Sequence, residues 1–191
     1  MKIGLFFGSF NPIHTGHLIL AQSALNMTDL DRVWFVVSPQ NPFKKKKNLL
    51  SEYDRYTMVE MAVRDNDQFL ASNIEFSLPK PSYTIDTLTY LADRYRSYEF
   101  SLIMGQDNLT HLHKWKNYEA ILKYYRIFVY PRGGEEAHEL LEHENVTLFE
   151  APLLDISATF IRQTIQNGNS VRYLVPEVVN EYIEGQGIYR N

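Results

Sequence analysis

Two histidines three residues apart, His14 and His17, stand in a segment whose composition suits a polyphosphate. The segment, residues 8–17, reads Gly-Ser-Phe-Asn-Pro-Ile-His-Thr-Gly-His, and its glycines, Gly8 and Gly16, let a ligand approach the backbone closely. Side chains three apart on a helix share a face, so both imidazoles can reach one phosphate chain. Phosphate oxygens favour the charged imidazole, so a bound phosphate is expected to strengthen proton binding.

Other interpretations of this segment remain open. A plain glycine-containing turn with two surface histidines would need no ligand. A zinc site would need a third ligand and usually a spacing of four between histidines, and His111 and His113 lie far along the chain. Neither the dinucleotide-binding glycine motif nor the Walker motif is present.

A second segment, residues 156–162, reads Ile-Ser-Ala-Thr-Phe-Ile-Arg and begins a predicted helix. The hydroxyl of Ser157 or Thr159 can cap the helix or donate to a phosphate. The Arg162 guanidinium can bind phosphate through two parallel hydrogen bonds. Alone, the segment is equally typical of a capped helix with an exposed arginine, so its meaning depends on the first segment.

The elements that must position these residues alternate between short apolar runs and amphipathic stretches. The pattern predicts strands over 3–7, 32–37, 69–71, 99–104, 126–130 and 146–149. It predicts helices over 16–26, 51–64, 84–95, 118–124, 159–166 and 176–184. Alternation of this kind indicates an α/β fold with a doubly wound, mostly parallel sheet flanked by helices. Ligands of such sheets bind beyond the carboxyl ends of the strands, where both segments fall.

Composition limits the classes of protein that the chain can belong to. A length of 191 residues predicts a single domain over residues 1–191, and 45% hydrophobic residues suffice for a core. The chain has no cysteine, which excludes thiol catalysis and cysteine-ligated metals. The net charge of −4 argues against a non-specific nucleic-acid binder. With no apolar run of membrane-spanning length and no signal-peptide pattern, a cytoplasmic protein is expected.

The two segments together resemble the H-x-G-H nucleotidyltransferases, whose signatures are G-x-F-x-P-x-H-x-G-H and I-S-x-T-x-I-R. Further segments are similar to the bacterial nicotinate-nucleotide adenylyltransferase family. These are Pro81-Ser82-Tyr83-Thr84-Ile85-Asp86-Thr87-Leu88, Met104-Gly105-Gln106-Asp107-Asn108-Leu109, the tryptophan loop from His113 to Ile121, and the ending Gln186-Gly187-Ile188-Tyr189-Arg190. The resemblance covers essentially the whole chain in the family's order.

This resemblance implies a Rossmann-like nucleotidyltransferase fold and a reaction of ATP with nicotinate mononucleotide that gives deamido-NAD and pyrophosphate. The implied catalytic residues are His14, His17, Lys44 and Arg162. The implied ATP-binding residues are Gly8, Ser9, Phe10, His14, His17, Gly105, Asp107, Ile156, Ser157, Thr159 and Arg162. The implied nicotinate-mononucleotide-binding residues are Asn41, Tyr83, Thr84, Asp107, Trp115 and Lys116.

The residues suit those roles chemically. The indole of Trp115 can stack on a pyridine ring. Thr84 and nearby backbone N–H groups can donate to a carboxylate, and Asp107 can accept from ribose hydroxyls. Mg²⁺ is expected to be carried by the ATP phosphates, with no dedicated protein metal site. The expected partners are ATP and nicotinate mononucleotide, with neither nucleic acid nor membrane, and a homodimer is one assembly that the sequence leaves open.

The chain departs from the family's pattern after the second strand. Phe43 stands where the family usually has histidine, and Pro42 lacks its usual proline neighbour. Alignment on Pro42 makes Lys44 the phosphate-binding residue of the run 44–47.

Other activities on the same fold stay open at this point. One is a phosphopantetheine adenylyltransferase, although that family lacks the tryptophan loop. Others are an adenylyltransferase that prefers nicotinamide mononucleotide, a fragment of an aminoacyl-tRNA synthetase, and a nucleotide-binding sensor without catalysis.

Overall fold

Six parallel strands form one sheet at the centre of the described part of the chain, in the order β3-β2-β1-β4-β5-β6. The computed structural model describes residues 1–39, 49–133 and 138–190. The strands are β1 Lys2–Gly8, β2 Arg32–Val37, β3 Phe69–Ser72, β4 Glu99–Gly105, β5 Ile127–Tyr130 and β6 Val146–Leu148. Every neighbouring pair is parallel, which confirms the predicted class of sheet.

The predicted helices are also present, with ends that shift by a few residues. They are α1 Thr15–Met27, α2 Glu52–Val63, α3 Thr84–Arg94, α5 Tyr118–Tyr124, α6 Ala158–Gln166 and α7 Glu177–Gln186. The pattern did not predict the short helix α4, Gln106–Leu109, or the 3₁₀ turns Ile74–Phe76, Leu112–Lys114 and Glu139–Glu142. Elements of three or four residues are too short to show a helical period.

Side chains of the strands alternate between two cores, one on each face of the sheet. In β2, Val33, Phe35 and Val37 face the core built with α1, α2, α6 and α7. Trp34 and Val36 face the other core, built with α3, α4 and α5. Strands buried on both faces are apolar throughout, which is why the short apolar runs indicated them correctly. Full burial of each such side chain contributes about 1.5–3 kcal/mol.

The strand order places the topological switch between β1 and β4. From β1 the chain builds outward through β2 and β3, and it then returns to β4 on the other side of β1. The connections leave β1 and β4 in opposite directions, so a crevice opens beyond their carboxyl ends. Gly8 and Gly105 are the last residues of these two strands. Within the described residues, no helix combines the length and apolar character needed to cross a membrane.

Candidate active site

A cleft of about 600 Å³ opens at the carboxyl edge of the sheet, at the switch between β1 and β4. Predicted residues of both substrate sites line it, namely Gly8, Ser9, His17, Tyr83, Thr84, Asp107, Trp115 and Lys116. These residues come from three separate parts of the chain, and the fold brings them into one cavity large enough for a small-molecule ligand. The structure therefore brings residues of both predicted sites together at this edge of the sheet.

The His14–His17 pair is tightly packed at the start of α1. The His14 backbone N–H donates to Nδ1 of His17 at 3.2 Å, and the two imidazole rings stack with centroids 3.6 Å apart. Because Nδ1 of His17 accepts this bond, the proton of the neutral His17 ring resides on Nε2. His17 thus enters the cleft wall as a donor of fixed orientation, whereas His14 is 5% exposed and lies outside the cleft lining.

Burial weakens proton binding by both imidazoles when no ligand is present. It lowers the pKa of His14 to about 4, with a smaller contribution from the nearby Arg132 cation. Burial also lowers the pKa of His17 well below its usual value, and the charges of His14 and Arg132 add to the effect. The direction is opposite to the one expected beside a phosphate, because desolvation disfavours the charged ring until an anion is bound.

The second segment lies directly against the first. Arg162 donates to the Asn11 carbonyl at 2.7 Å and to the Thr159 hydroxyl at 3.2 Å. The Ser157 hydroxyl caps α6 by accepting from the Phe160 N–H at 3.1 Å. Residues 8–17 and 156–162 are therefore adjacent, which a phosphate site shared by the two segments requires. Ile156, Ser157, Thr159 and Arg162 are not part of the cleft lining.

Phe10 and Gly105 are the other implied ATP-binding residues outside the cleft lining. The Phe10 side chain is 2% exposed and packs edge-on against Phe6, with centroids 6.0 Å apart. It also lies over Gly8, where an added Cβ would come within 3.0 Å of the ring. A contact between Phe10 and ATP would therefore use its backbone. Gly105 ends β4 where a Cβ would crowd Arg132 and Tyr130, both at 3.1 Å.

One side of the cleft is built around the first turn of α3. Tyr83 is the N-cap and Thr84 the first helical residue, so the N–H groups of Thr84 and Ile85 lack intrahelical partners, whereas the Asp86 N–H donates to the Tyr83 carbonyl at 3.0 Å. The Lys116 ammonium binds the Asp86 carboxylate at 2.8 and 2.9 Å and lies 4.9 Å from the centre of the Tyr83 ring. The Lys116 charge is thus paired with Asp86, and the backbone donors and helix dipole of this turn are what suit a carboxylate ligand.

Asp107 lines the cleft just beyond the end of β4. It lies in α4, directly after β4, and its Oδ1 is 3.5 Å from Nε of Arg132. Both side chains are about half exposed, so this ion pair contributes little to stability and leaves Asp107 accessible.

Sequence reasoning missed several residues around the cleft. Arg132 and Glu75 line it, and their only sequence signal is a position near a strand end. Arg55, on α2, is fully buried beneath the cleft. Its guanidinium donates to four carbonyls, those of Ser9 at 2.6 Å, Ser38 at 2.8 Å, Leu50 at 3.0 Å and Pro39 at 3.0 Å. In sequence it is indistinguishable from an exposed helical arginine.

Two implied residues, Asn41 and Lys44, lie outside the described residues, as does the whole run 44–47. Their roles stay predictions.

Comparison with known proteins places the chain among nucleotidyltransferases. The cytidylyltransferase-like family model matches residues 5–164. A protein of Cytophaga hutchinsonii named "Probable nicotinate-nucleotide adenylyltransferase" is 56% identical over 191 residues, which cover 100% of both chains. A protein of Flavobacterium psychrophilum with the same name is 50% identical over 192 residues, again covering 100% of both chains.

Among solved structures, the fold is similar to "Plasmodium falciparum nicotinic acid mononucleotide adenylyltransferase complexed with NaAD". The TM-score is 0.83 at 19% identity, over 98% of this chain and 97% of that one. At this identity the likeness concerns the fold. The family follows from the sequence relatives, which match over the full length of the chain. The chain therefore belongs to the nicotinate-nucleotide adenylyltransferase family of cytidylyltransferase-like proteins.

Proposed function

We propose that the protein transfers the adenylyl group of ATP to nicotinate mononucleotide, giving deamido-NAD and pyrophosphate in the biosynthesis of NAD. One observation carries the proposal: Gly8, Ser9 and His17 of the first segment line the same cleft as Tyr83, Thr84 and Trp115. Relatives that carry the name of this activity match the whole chain. The Plasmodium falciparum structures that share the fold are titled as complexes with NaAD and with APC.

The reaction needs positioning and charge stabilisation more than proton transfer. The 5′-phosphate of the acceptor is already an anionic nucleophile, so it attacks the α-phosphorus of ATP directly and pyrophosphate leaves. No general base and no covalent intermediate is required. A donor of fixed orientation, such as Nε2–H of His17, stabilises the charge that develops on the phosphate oxygens.

The phosphates of ATP are assigned to the first and second segments. The glycine-containing turn after Gly8 lets the phosphates approach the backbone, and the positive end of the α1 dipole favours anions. His14, Lys44, Ser157, Thr159 and Arg162 complete the proposed set. Arg162 already donates to Asn11 and Thr159, so its first role is to hold the two segments together.

The acceptor is assigned to the side of the cleft formed by α3 and the tryptophan loop. The nicotinate carboxylate would bind at the Tyr83–Thr84 turn, and the pyridine ring would stack on Trp115. Asp107 would accept from ribose hydroxyls, since it lines the cleft and its side chain is about half exposed. A carboxylate acceptor suits the donors of this turn better than the neutral amide of nicotinamide mononucleotide does.

Mg²⁺ would enter with ATP. No group of three or more acidic or histidine side chains among the described residues could hold a metal. The acidic residues of the cleft lining are Asp107, which pairs with Arg132, and the buried Glu75. The donor set therefore fits a metal held by phosphate oxygens and water, whose charge would neutralise the triphosphate. The proposed location of the protein is the cytoplasm.

Pyrophosphate release from Mg-ATP, measured separately with three acceptors, tests the proposal. The acceptors are nicotinate mononucleotide, nicotinamide mononucleotide and phosphopantetheine. The highest kcat/KM is expected for nicotinate mononucleotide. Fastest turnover on phosphopantetheine would overturn the proposal, and ATP binding without turnover on any acceptor would favour a sensor.

A further inference from the structure

The Glu75 carboxylate is buried beside the acceptor side of the cleft. The residue lies in the 3₁₀ turn Ile74–Phe76, lines the cleft, and is 2% exposed. No basic side chain among the described residues forms an ion pair with it. A carboxylate in such a place is costly unless hydrogen bonds replace the lost water.

Two hydroxyl groups supply hydrogen bonds to it. Ser82 donates to Oε2 at 3.0 Å and Thr87 donates to Oε1 at 2.8 Å. Burial raises the pKa of the Glu75 carboxyl, and the Thr87, Ser38 and Ser82 hydroxyls act in the opposite direction. Thr87 is fully buried and Ser82 is 8% exposed, so water competes little for the two bonds. Buried hydrogen bonds of this kind make the region rigid.

The two donors tie the start of α3 to the turn that follows β3. Ser82 precedes α3 and Thr87 lies within it, whereas Glu75 lies in the 3₁₀ turn after β3. In the sheet, β3 pairs with β2 and β2 pairs with β1, whose last residue, Gly8, begins the Gly8–His17 segment. Glu75 thus joins the first turn of α3 to the same edge of the sheet as that segment.

We propose that Glu75 is a positioning residue for the acceptor: it fixes the Tyr83–Thr84 turn relative to the Gly8–His17 segment. The inference rests on the proposed function, because it takes the acceptor's carboxylate to bind at this turn. Alignment of the two substrates depends on that distance, and a misplacement of about 1 Å can cost a factor of about a hundred in rate.

By its charge alone, the Glu75 carboxylate would weaken the binding of the acceptor. A carboxylate close to an anionic acceptor repels it, so an electrostatic role would weaken binding. Positioning and electrostatics therefore predict opposite effects when the charge is removed. If positioning dominates, the Glu75→Gln variant binds the acceptor less well. If electrostatics dominates, the same variant binds it better.

Steady-state kinetics of the full-length protein with nicotinate mononucleotide and Mg-ATP test the inference. Glu75→Gln is expected to raise the KM for the acceptor about tenfold while the KM for ATP changes less than about twofold. Thr87→Val should act in the same direction, and Thr87→Ser, which keeps the hydroxyl, should restore wild-type behaviour. The matched control is Thr89→Val, because the Thr89 side chain is exposed and its hydroxyl donates within α3, to the Ile85 carbonyl at 2.9 Å.

Hydrogen exchange at the first turn of α3 gives a second measurement that does not depend on turnover. Faster exchange is expected in Glu75→Gln and Thr87→Val, and unchanged exchange in Thr89→Val. Equal changes in both KM values, a lower KM for the acceptor, or unaltered exchange would each overturn the inference. Wild-type protein that does not turn over nicotinate mononucleotide would instead overturn the proposed function, so the two failures are distinguishable.

Discussion

At the scale of single residues, His17 is the proposed phosphate-binding side chain with the most sharply defined geometry. Its Nδ1 accepts a backbone hydrogen bond, its ring stacks on His14, and Phe10 packs edge-on against it at 5.0 Å. A donor held in this way needs no reorganisation when charge develops on a phosphate.

The His17→Ala variant is expected to lose about 2–4 kcal/mol of transition-state stabilisation, or roughly 30- to 1000-fold in kcat/KM. The control is His143→Ala, since His143 lies just before β6 and outside the cleft lining. Steady-state pyrophosphate release measures both variants. A loss below about tenfold for His17→Ala would remove His17 from the mechanism.

The lowered pKa values of the histidine pair predict a dependence of stability on pH. The unfolded chain binds a proton at His14 near pH 6.5, but the folded protein does so only near pH 4. Between these values the unfolded state binds more protons, so the free energy of unfolding falls as the pH falls. Urea unfolding without nucleotide at pH 7, 6 and 5 measures the slope, and His14→Gln should flatten it. An unchanged slope in that variant would contradict the assigned cause.

The sequence revealed the residues in and around the cleft unevenly, for a physical reason. His14, His17 and the residues of 156–162 stand in contiguous segments whose order is itself informative. Arg55 and Glu75 act through carbonyls and hydroxyls that are distant in sequence, such as Ser9, 46 residues from Arg55. No local pattern reveals such partners.

At the scale of elements, α2 holds the carboxyl edge of the sheet through Arg55. The four carbonyls that it binds belong to Ser9 after β1, to Ser38 and Pro39 after β2, and to Leu50, two residues before α2. A buried guanidinium with full hydrogen bonding is stable, but its removal leaves all four carbonyls unsatisfied.

Arg55→Met is therefore expected to lower the free energy of unfolding by more than about 3 kcal/mol. The control, Arg96→Met, removes an exposed arginine whose ion pair with Asp93 spans 3.5 Å, and it should cost less than about 0.5 kcal/mol. Urea unfolding at neutral pH compares the two. Similar losses for both variants would mean that the carbonyl contacts contribute little.

Two glycines of the last helix differ in their backbone requirements. Gly187 ends α7 with φ of +62°, a conformation that costs other residues energy, whereas Gly185 lies inside the helix with open space around it. Gly187→Ala should lower the free energy of unfolding by about 1 kcal/mol, and Gly185→Ala should raise it by about 0.5–1 kcal/mol. Thermal unfolding of the two variants checks the opposite signs, and a shift in the same direction would contradict the assigned cap.

The strands, and the helices of seven or more residues, were predictable from their apolar patterns. Strands such as β2 are apolar on both faces, and helices such as α3 carry one apolar stripe, so pattern and fold agree. The turn that carries Glu75 and the helix that carries Asp107 were not predictable, because each is too short to complete a period.

At the scale of the whole molecule, the net charge of −4 is a poor guide to the charge of the ligands that the protein is proposed to bind. Both proposed substrates are anions, and the cleft lining holds three cationic side chains, Lys114, Lys116 and Arg132, against two carboxylates, Asp107 and Glu75. The formal charge of the lining is therefore opposite in sign to that of the whole chain, which suits anionic ligands.

The most direct test of the account follows the oxygen atoms of the acceptor. Nicotinate mononucleotide labelled with ¹⁸O in its 5′-phosphate is incubated with the protein and Mg-ATP, and the products are analysed by mass spectrometry. Attack of that phosphate on the α-phosphorus predicts labelled deamido-NAD and unlabelled pyrophosphate. Labelled pyrophosphate, or the absence of a dinucleotide product, would contradict adenylyl transfer to this acceptor.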